Sequence, residues 1–422
     1  MEAGDLKSSK RLRWWIAWTL FCSTVINYIS RQTLSVLAPV IMKQFHMTHA
    51  DYSHIVFAFQ FSHAVMWLLG GVFIDLIGTR LGLTLAVLWW SASGMFHALA
   101  NSVHTFEIFR FMLGIGEGCN WPGASKAVAE WFPAQERGMA VAIFDSGASV
   151  GAIIATPLVS LVAYALGWRS AFIASGLLGF LWLLLWLSVY HPLQYHPRVT
   201  REERTLIGSG RTIPAVSTQM GIERWLTLLK DSNVWGIVVG RSLTDQIWWF
   251  YVFWLPQYLS EARGFGLKQI AFFAWIPFLT AFVGNFSGGF ASGWLIRRGI
   301  EVVRARKLVC IVSTLPILAG IPAALTHNVY WAMVLISIST WAYASWSTMG
   351  LTLPSDLFPH DVVATVTGLS GLGAGLTGVA FTLLIGVLID KFSYFPAFLA
   401  AGTLPILATV SILILIRQSR PF

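Results

Sequence analysis

Twelve predominantly apolar runs of helix length follow one another through this chain. They lie near residues 14–40, 52–76, 81–101, 104–126, 138–164, 167–190, 233–259, 268–296, 304–326, 329–352, 361–388 and 393–417. A bilayer core takes about 20 such residues per crossing, and more when the helix tilts. Only 11% of residues are charged and mean hydropathy is +0.67, against about 25% charged in soluble domains. The runs are too long and too continuous for the short alternating segments of a membrane β-barrel. The fold class expected is an all-α membrane protein with twelve transmembrane helices in two pseudo-symmetric six-helix bundles.

The ends and the cysteines fit that class. The start, MEAGDLKSSKRLRWW, has the basic character of a signal peptide, but the following run contains Asn27 and Arg31 and no small-residue cleavage site. It reads as a retained first helix. Cys22, Cys119 and Cys310 all fall in apolar runs and read as small buried residues, not a disulfide framework. No spacing of histidine and cysteine suggests a metal site.

An even number of crossings puts both termini on one side. With the N-terminus inside, twenty Lys and Arg fall on the cytoplasmic face and five on the other (Lys43, Arg169, Arg263, Lys268, Lys391). Three more, Arg31, Arg110 and Arg241, lie within spans. That asymmetry places both termini in the cytoplasm. It also accounts for the net charge of +9 as topology and lipid headgroup contact, with no need of nucleic acid. One long polar segment, 191–230, separates an N-terminal bundle (1–190) from a C-terminal one (231–422). Gly70-Gly71 and Gly288-Gly289, and Phe132-Pro133 and Phe358-Pro359, echo one another across that division, as duplicated halves would.

Charges inside a span are costly and face a cavity or a partner. The run RFMLGIGEG (110–118) carries Arg110 and Glu117 seven residues apart, hence on one helix face about 10 Å apart along the axis. They read either as a buried ion pair or as an anion site with a proton-carrying glutamate, the span ending at Pro122. In VINYISRQTLSVLAP (25–39), Arg31 sits mid-span with Asn27 and Tyr28 a turn before it. A planar guanidinium there suits a carboxylate. Gln60 and His63 follow in the second run as candidate ligand contacts. Asp75 and Arg80, in GGVFIDLIGTRLG (70–82), are placed to latch helix ends in one conformational state. Gly147 and Gly151 form a close-packing face beside Asp145, which reads equally as a solvated carboxylate or a buried one. Arg241 and Asp245 form an i,i+4 pair read first as an intrahelical or interdomain ion pair. The aromatic run after them reads first as packing, with Trp249 or Phe253 as a candidate sugar-stacking ring, and Trp346, in SWSTMG (345–350), is a candidate cavity wall.

Taken together, these strings resemble a known family. The halves and the GGVFIDLIGTR loop resemble the major facilitator superfamily. NYISRQTLSVLAP, RFMLGIGEG, AEWFPAQERGMAVAIFDSGASVGA, RSLTDQIWWFYVFWLPQYL and SDLFPHDVVATVTGL resemble its anion:cation symporters, bacterial hexuronate transporters among them. The resemblance implies that Arg31 binds the substrate carboxylate, that Glu117 is a protonation site with Arg110 as its neighbour, and that His63 stands where relatives have a tyrosine. Ser30 replaces an aspartate frequent in sugar-acid symporters, and Asp145 replaces a frequent asparagine.

The expected function is therefore proton-coupled uptake of a small organic anion, a hexuronate first, by alternating access. The other readings are an aldonate, dicarboxylate or aromatic-acid carrier, and a transporter-derived membrane sensor. The expected setting is a bacterial inner membrane, as a monomer, with no cofactor beyond the co-transported proton and no enzymatic activity. Glu117, Arg110 and Asp145 are the expected proton-coupling residues. Asp75, Arg80, Arg241 and Asp245 are the expected gating residues.

Overall fold

The computed structural model describes residues 12–47, 49–208, 227–265 and 273–417. The expectations for the basic residues Lys7, Lys10, Arg11, Arg211, Arg224, Lys268 and Arg420, and for linker positions 209–226, lie outside the described residues. Every regular element within them is helical. In chain order these are α1 (Leu12–Gln44), α2 (His49–Ile77), α3 (Thr79–Phe96), α4 (Val103–Glu117), α5 (Asn120–Trp131), α6 (Ala134–Leu166), α7 (Trp168–Val189) and α8 (Arg201–Gly208). There follow α9 (Ser232–Thr244), α10 (Gln246–Glu261), α11 (Ile276–Arg297), α12 (Val302–Ile317), α13 (Gly320–Leu325), α14 (Val329–Leu357), α15 (Val363–Lys391) and α16 (Phe395–Leu415).

Among the described residues each of the twelve expected spans has helical counterparts, three of them interrupted; positions 268–272 of the eighth lie outside the described residues. The fourth breaks between α4 and α5, the seventh at Asp245, and the ninth just after Pro316. The fourth span thus does not end near Pro122, as the sequence suggests, but resumes through Trp131. Pro122 falls in the first turn of α5, where a missing N–H costs no intrahelical bond. Among the described residues, six spans are apolar and long enough to qualify as membrane-crossing by length and composition alone. The first and fourth, which carry Arg31, Arg110 and Glu117, are not among them.

The residues group into two compact units. The first comprises Met1–Pro133, Ile143–Ser217 and Phe358–Leu372; the second comprises Ala134–Ala142, Thr218–Leu357 and Gly373–Phe422. In the first, α2 packs along α4, α3 along α4 and α7, and α1 along α7. The short helix α8 is held to α1 by an enclosed ion pair, Arg13 Nη1 to Glu203 Oε1 at 2.9 Å. In the second, α11 and α12 pack on α14, and α9 on α16.

Two close helix approaches position the site. A Cβ on Gly114 would lie 2.6 Å from the Phe59 carbonyl and 3.0 Å from the His63 amide nitrogen. Only glycine there lets α4 lie against the middle of α2. At α1, a Cβ on Gly151 would lie 2.6 Å from the Val25 carbonyl and 2.7 Å from Tyr28 Cβ. The expected Gly147–Gly151 packing face thus seats α6 directly behind the turn that carries Asn27, Tyr28 and Arg31.

Candidate functional site

α1 places Asn27 and Arg31 one turn apart, and Arg31 Nη2 donates to Asn27 Oδ1 at 3.1 Å. Phe59, His63 and Trp67 stand on successive turns of α2, so their rings share one face. His63 Nε2 lies 2.9 Å from the same Nη2. A guanidinium can only donate, so Nε2 is the acceptor and the ring proton sits on Nδ1. The Arg31 guanidinium carbon lies 4.8 Å from the Tyr28 ring centre, 5.2 Å from Phe59 and 5.8 Å from Trp121. Three π faces thus surround the cation at distances where they attract it.

Glu117 is the last residue of α4, where the fourth span breaks. It is 0% exposed, and its Oε2 accepts from Arg31 Nε and Nη2, both at 3.3 Å. Its other oxygen, Oε1, is buried with no hydrogen-bond partner among the described residues. The Arg31 side chain remains 14% exposed, and none of its hydrogen bonds uses Nη1. A charge so enclosed is tolerable only because it is paired. One side of the guanidinium fork is therefore committed to Glu117, and Nη1 has no partner among the described residues.

The carboxylate partner differs from the sequence reading. Arg110 does not pair with Glu117. It donates from Nη2 to the Arg31 carbonyl at 3.3 Å and lies 5.7 Å from the Phe59 ring centre. A separation of about 10 Å along the helix axis leaves room for Arg31 to enter from α1 and take the carboxylate.

Asp145 is neither paired with Arg31 nor simply solvated. Its Oδ1 accepts the Trp121 indole N–H at 2.9 Å. Gln60 is partly exposed one turn before His63. Asp75 ties α2 to α5 and α15. Its Oδ1 lies 2.9 Å from Lys126 Nζ, and its Oδ2 accepts from Thr365 N and Oγ1 at 2.7 and 2.6 Å. Arg80 instead donates to the Leu187 carbonyl at 2.8 Å. The physical reason is position. Thr365 is in the first turn of α15, where free N–H groups and the helix dipole favour a carboxylate.

In the second unit, the i,i+4 pair forms as the spacing predicts, Arg241 Nη2 to Asp245 Oδ2 at 2.6 Å. It sits at the α9–α10 break, and the Tyr343 hydroxyl also approaches Asp245. Trp249 is partly exposed. Trp346 is not a cavity wall in this structure. It is 0% exposed, and its indole donates to Thr409 Oγ1 at 2.9 Å, which spends its polar atom on packing.

Four contributors escaped sequence reasoning. Phe59 carried a usable signal, an aromatic ring one turn from His63. Lys126 carried a weaker one, since an enclosed Asp75 requires a cation. Trp121 and Thr365 carried none.

Comparison with known proteins gives one answer. The sequence profile described as Major Facilitator Superfamily matches residues 20–382. The chain is similar to the hexuronate transporter of Escherichia coli (strain K12), with 33% identity over 411 residues, 96% of this chain and 94% of that one. It is similar to the galacturonate transporter of Dickeya chrysanthemi, with 33% identity over 309 residues, 72% of this chain and 89% of that one. Its fold is that of the proton:xylose symporter XylE bound to 6-bromo-6-deoxy-D-glucose, with a TM-score of 0.76, 15% identity and 97% of each chain covered. With that profile running through most of its length and a relative of this identity matched over 96% of it, the chain is a multi-pass membrane transporter and belongs to the Major Facilitator Superfamily.

Proposed function

We propose that this transporter carries a sugar acid, a hexuronate in the first instance, into the cell together with a proton. The observation that carries the reading is the shared guanidinium. Glu117 holds two donors of Arg31 through one oxygen and leaves its other oxygen without a partner among the described residues. A substrate carboxylate needs two adjacent donors for bidentate binding, and the open Nη1 supplies one. Protonating Glu117 weakens its hold on Arg31 and frees the fork. The proton then sits on a carboxyl group whose orphan oxygen has room for it. His63, Asn27 and Gln60 supply polar atoms for hydroxyls, and the rings of Tyr28, Phe59 and Trp121 supply apolar faces for the C–H side of a sugar.

The names of similar proteins support the substrate class. Besides the hexuronate and galacturonate transporters, relatives include a D-galactonate transporter of Escherichia coli O6:H1 at 27% identity. A second reading, transport of another organic acid, is favoured by the same geometry, since Arg31 reads only a carboxylate. The remaining parts of the proposal are a bacterial inner membrane, both termini cytoplasmic, a monomeric carrier with no cofactor but the co-transported proton, and alternating access between the halves 1–190 and 231–422. Asp75 and the Arg241–Asp245 pair are proposed as state-dependent latches. The test is uptake into proteoliposomes under an imposed pH gradient, with labelled glucuronate, galacturonate, galactonate, galactarate, tartrate and benzoate. Gradient-driven accumulation of a hexuronate is the expected result. Accumulation of a non-sugar acid alone, or of none, overturns the reading.

A further inference from the structure

Asp145 lies on α6 and makes no ion pair with Arg31, yet it is joined to the Arg31 site through one ring. Its Oδ1 accepts the Trp121 indole N–H at 2.9 Å. Trp121 in turn touches the site on three sides. Its face lies 5.8 Å from the Arg31 guanidinium carbon. Its edge meets the Tyr28 ring with centres 6.0 Å apart and planes at 68°. Its other contact is a stack on Trp67, 5.6 Å apart at 18°, and Trp67 meets His63 edge-on at 6.1 Å.

We infer that Asp145 is a positioning residue for substrate binding, which fixes the Trp121 ring behind the Arg31 guanidinium and so sets the affinity of that arginine for a carboxylate. This rests on the Arg31 site being the carboxylate site. Two physical effects act together. An indole held at its nitrogen cannot rotate about its side-chain torsions, so its face stays presented to the cation. A carboxylate accepting the N–H also pushes electron density into the ring, which strengthens the attraction between its face and a guanidinium. The ring is nearly closed off from solvent, where such effects are largest. The donor that Trp121 presents to Asp145 is an indole N–H, which does not titrate in the working range. Holding it is therefore a task that needs no proton exchange.

The test is a double-mutant cycle on the full-length protein in proteoliposomes. Asp145→Ala is expected to raise the half-saturation concentration for counterflow about tenfold, the size of a desolvated cation–π contact, with maximal rate within about twofold of wild type. Trp121→Phe, which keeps a ring but has no N–H, is expected to do the same. Adding Asp145→Ala to Trp121→Phe is expected to cost nothing further. Asp145→Asn, whose amide oxygen still accepts the N–H, is expected to stay within about threefold of wild type with an overlapping pH profile. Additive losses in the double variant overturn the inference, as does a displaced pH profile for Asp145→Asn, which would make Asp145 a proton carrier. If Asp145→Ala lowers only the amount of folded protein, the conservative Asp145→Asn with unchanged half-saturation beside an impaired Trp121→Phe supports the inference; equal impairment of Asp145→Asn and Asp145→Ala counts against it. The cycle is run on whichever carboxylate of the panel binds in an Arg31-dependent way. A ligand that is not a sugar acid overturns the function proposed above while the cycle still decides the role of Asp145. Absence of any Arg31-dependent carboxylate binding overturns both.

Discussion

Glu117→Gln separates substrate binding from proton coupling. Glutamine keeps the shape of the protonated acid and cannot ionise. In the wild type, Oε2 stands 3.3 Å from two Arg31 nitrogens. At that distance, with an effective dielectric constant of about 20, the pair is worth about 5 kcal/mol of attraction, and an incoming carboxylate must displace it. Glutamine removes the competitor, so binding is expected to become tighter at neutral pH and to lose its pH dependence. Accumulation should fail for the same reason. With one proton per monoanion and the membrane potential clamped at zero, a pH gradient of one unit supports accumulation of about tenfold, because one pKa unit corresponds to about 1.36 kcal/mol. Without the proton the limit is equal concentrations on both sides. The assay compares wild type and Glu117→Gln in proteoliposomes for gradient-driven uptake and for substrate–substrate counterflow. The expected variant equilibrates and exchanges but does not concentrate. Accumulation by Glu117→Gln approaching the wild-type ratio refutes the reasoning and moves the proton elsewhere. Loss of both binding and counterflow in folded protein makes Glu117 a structural or substrate-contacting residue.

Arg31→Lys keeps the charge but loses the fork; transport is expected to fall at least tenfold with normal membrane insertion, and near-normal half-saturation would exclude Arg31 as the clamp. Asp75→Asn leaves Lys126 beside a neutral group in an enclosed position, so the arrangement seen here should be destabilised by about 3–5 kcal/mol; counterflow should slow while substrate binding persists, measured by equilibrium binding beside counterflow. In the polar segment after α7, burial, together with neighbouring arginines and despite the Val189 carbonyl, holds the His196 pKa below its usual 6.5. A depressed histidine leaves stability intact above about pH 6.5 and lowers it as the pH falls below that value, because the unfolded segment then binds more protons. Hydrogen exchange across 196–208 should therefore accelerate between pH 7 and 5, and His196→Gln should flatten that dependence.

How much of this was legible beforehand depended on whether a feature acts along one helix or between helices. The twelve spans follow from apolar run length, and Arg31 and Glu117 stand out because an ionisable group inside a span is costly wherever it points. The Arg241–Asp245 pair was legible because i,i+4 spacing fixes both partners on one face. The partner of Glu117 was not, since Arg31 is 86 positions away and the approach of α1 to α4 depends on helix packing. Lys126 is one of the twenty Lys and Arg counted on the cytoplasmic face, although it lies enclosed against Asp75. Trp121 is one of 21 tryptophans, and nothing in the local string marks it as the ring that joins Asp145 to Arg31.

The charge count of the site yields a further prediction. With Glu117 ionised, the empty site holds two arginines, Arg31 and Arg110, against one carboxylate, a net charge of about +1. Adding a monoanion and protonating Glu117 returns the same value. The empty and occupied carriers then carry equal charge, so a complete cycle moves no net charge and net uptake is neither driven nor opposed by the membrane potential, which otherwise acts with about 2.3 kcal/mol per charge per 100 mV. The balance is specific to a monocarboxylate. Ser30 is buried next to Arg31 on α1 and offers no second carboxyl group to take another proton. A dianion such as galactarate would therefore move with one uncompensated negative charge. In proteoliposomes with a potassium-diffusion potential, glucuronate uptake is expected to be insensitive to an inside-negative voltage, whereas any galactarate uptake should be slowed by it. A membrane potential that slows both equally would mean that protonation of Glu117 does not accompany each monoanion. If neither is slowed, a second proton site takes part, and the single-glutamate account of coupling fails.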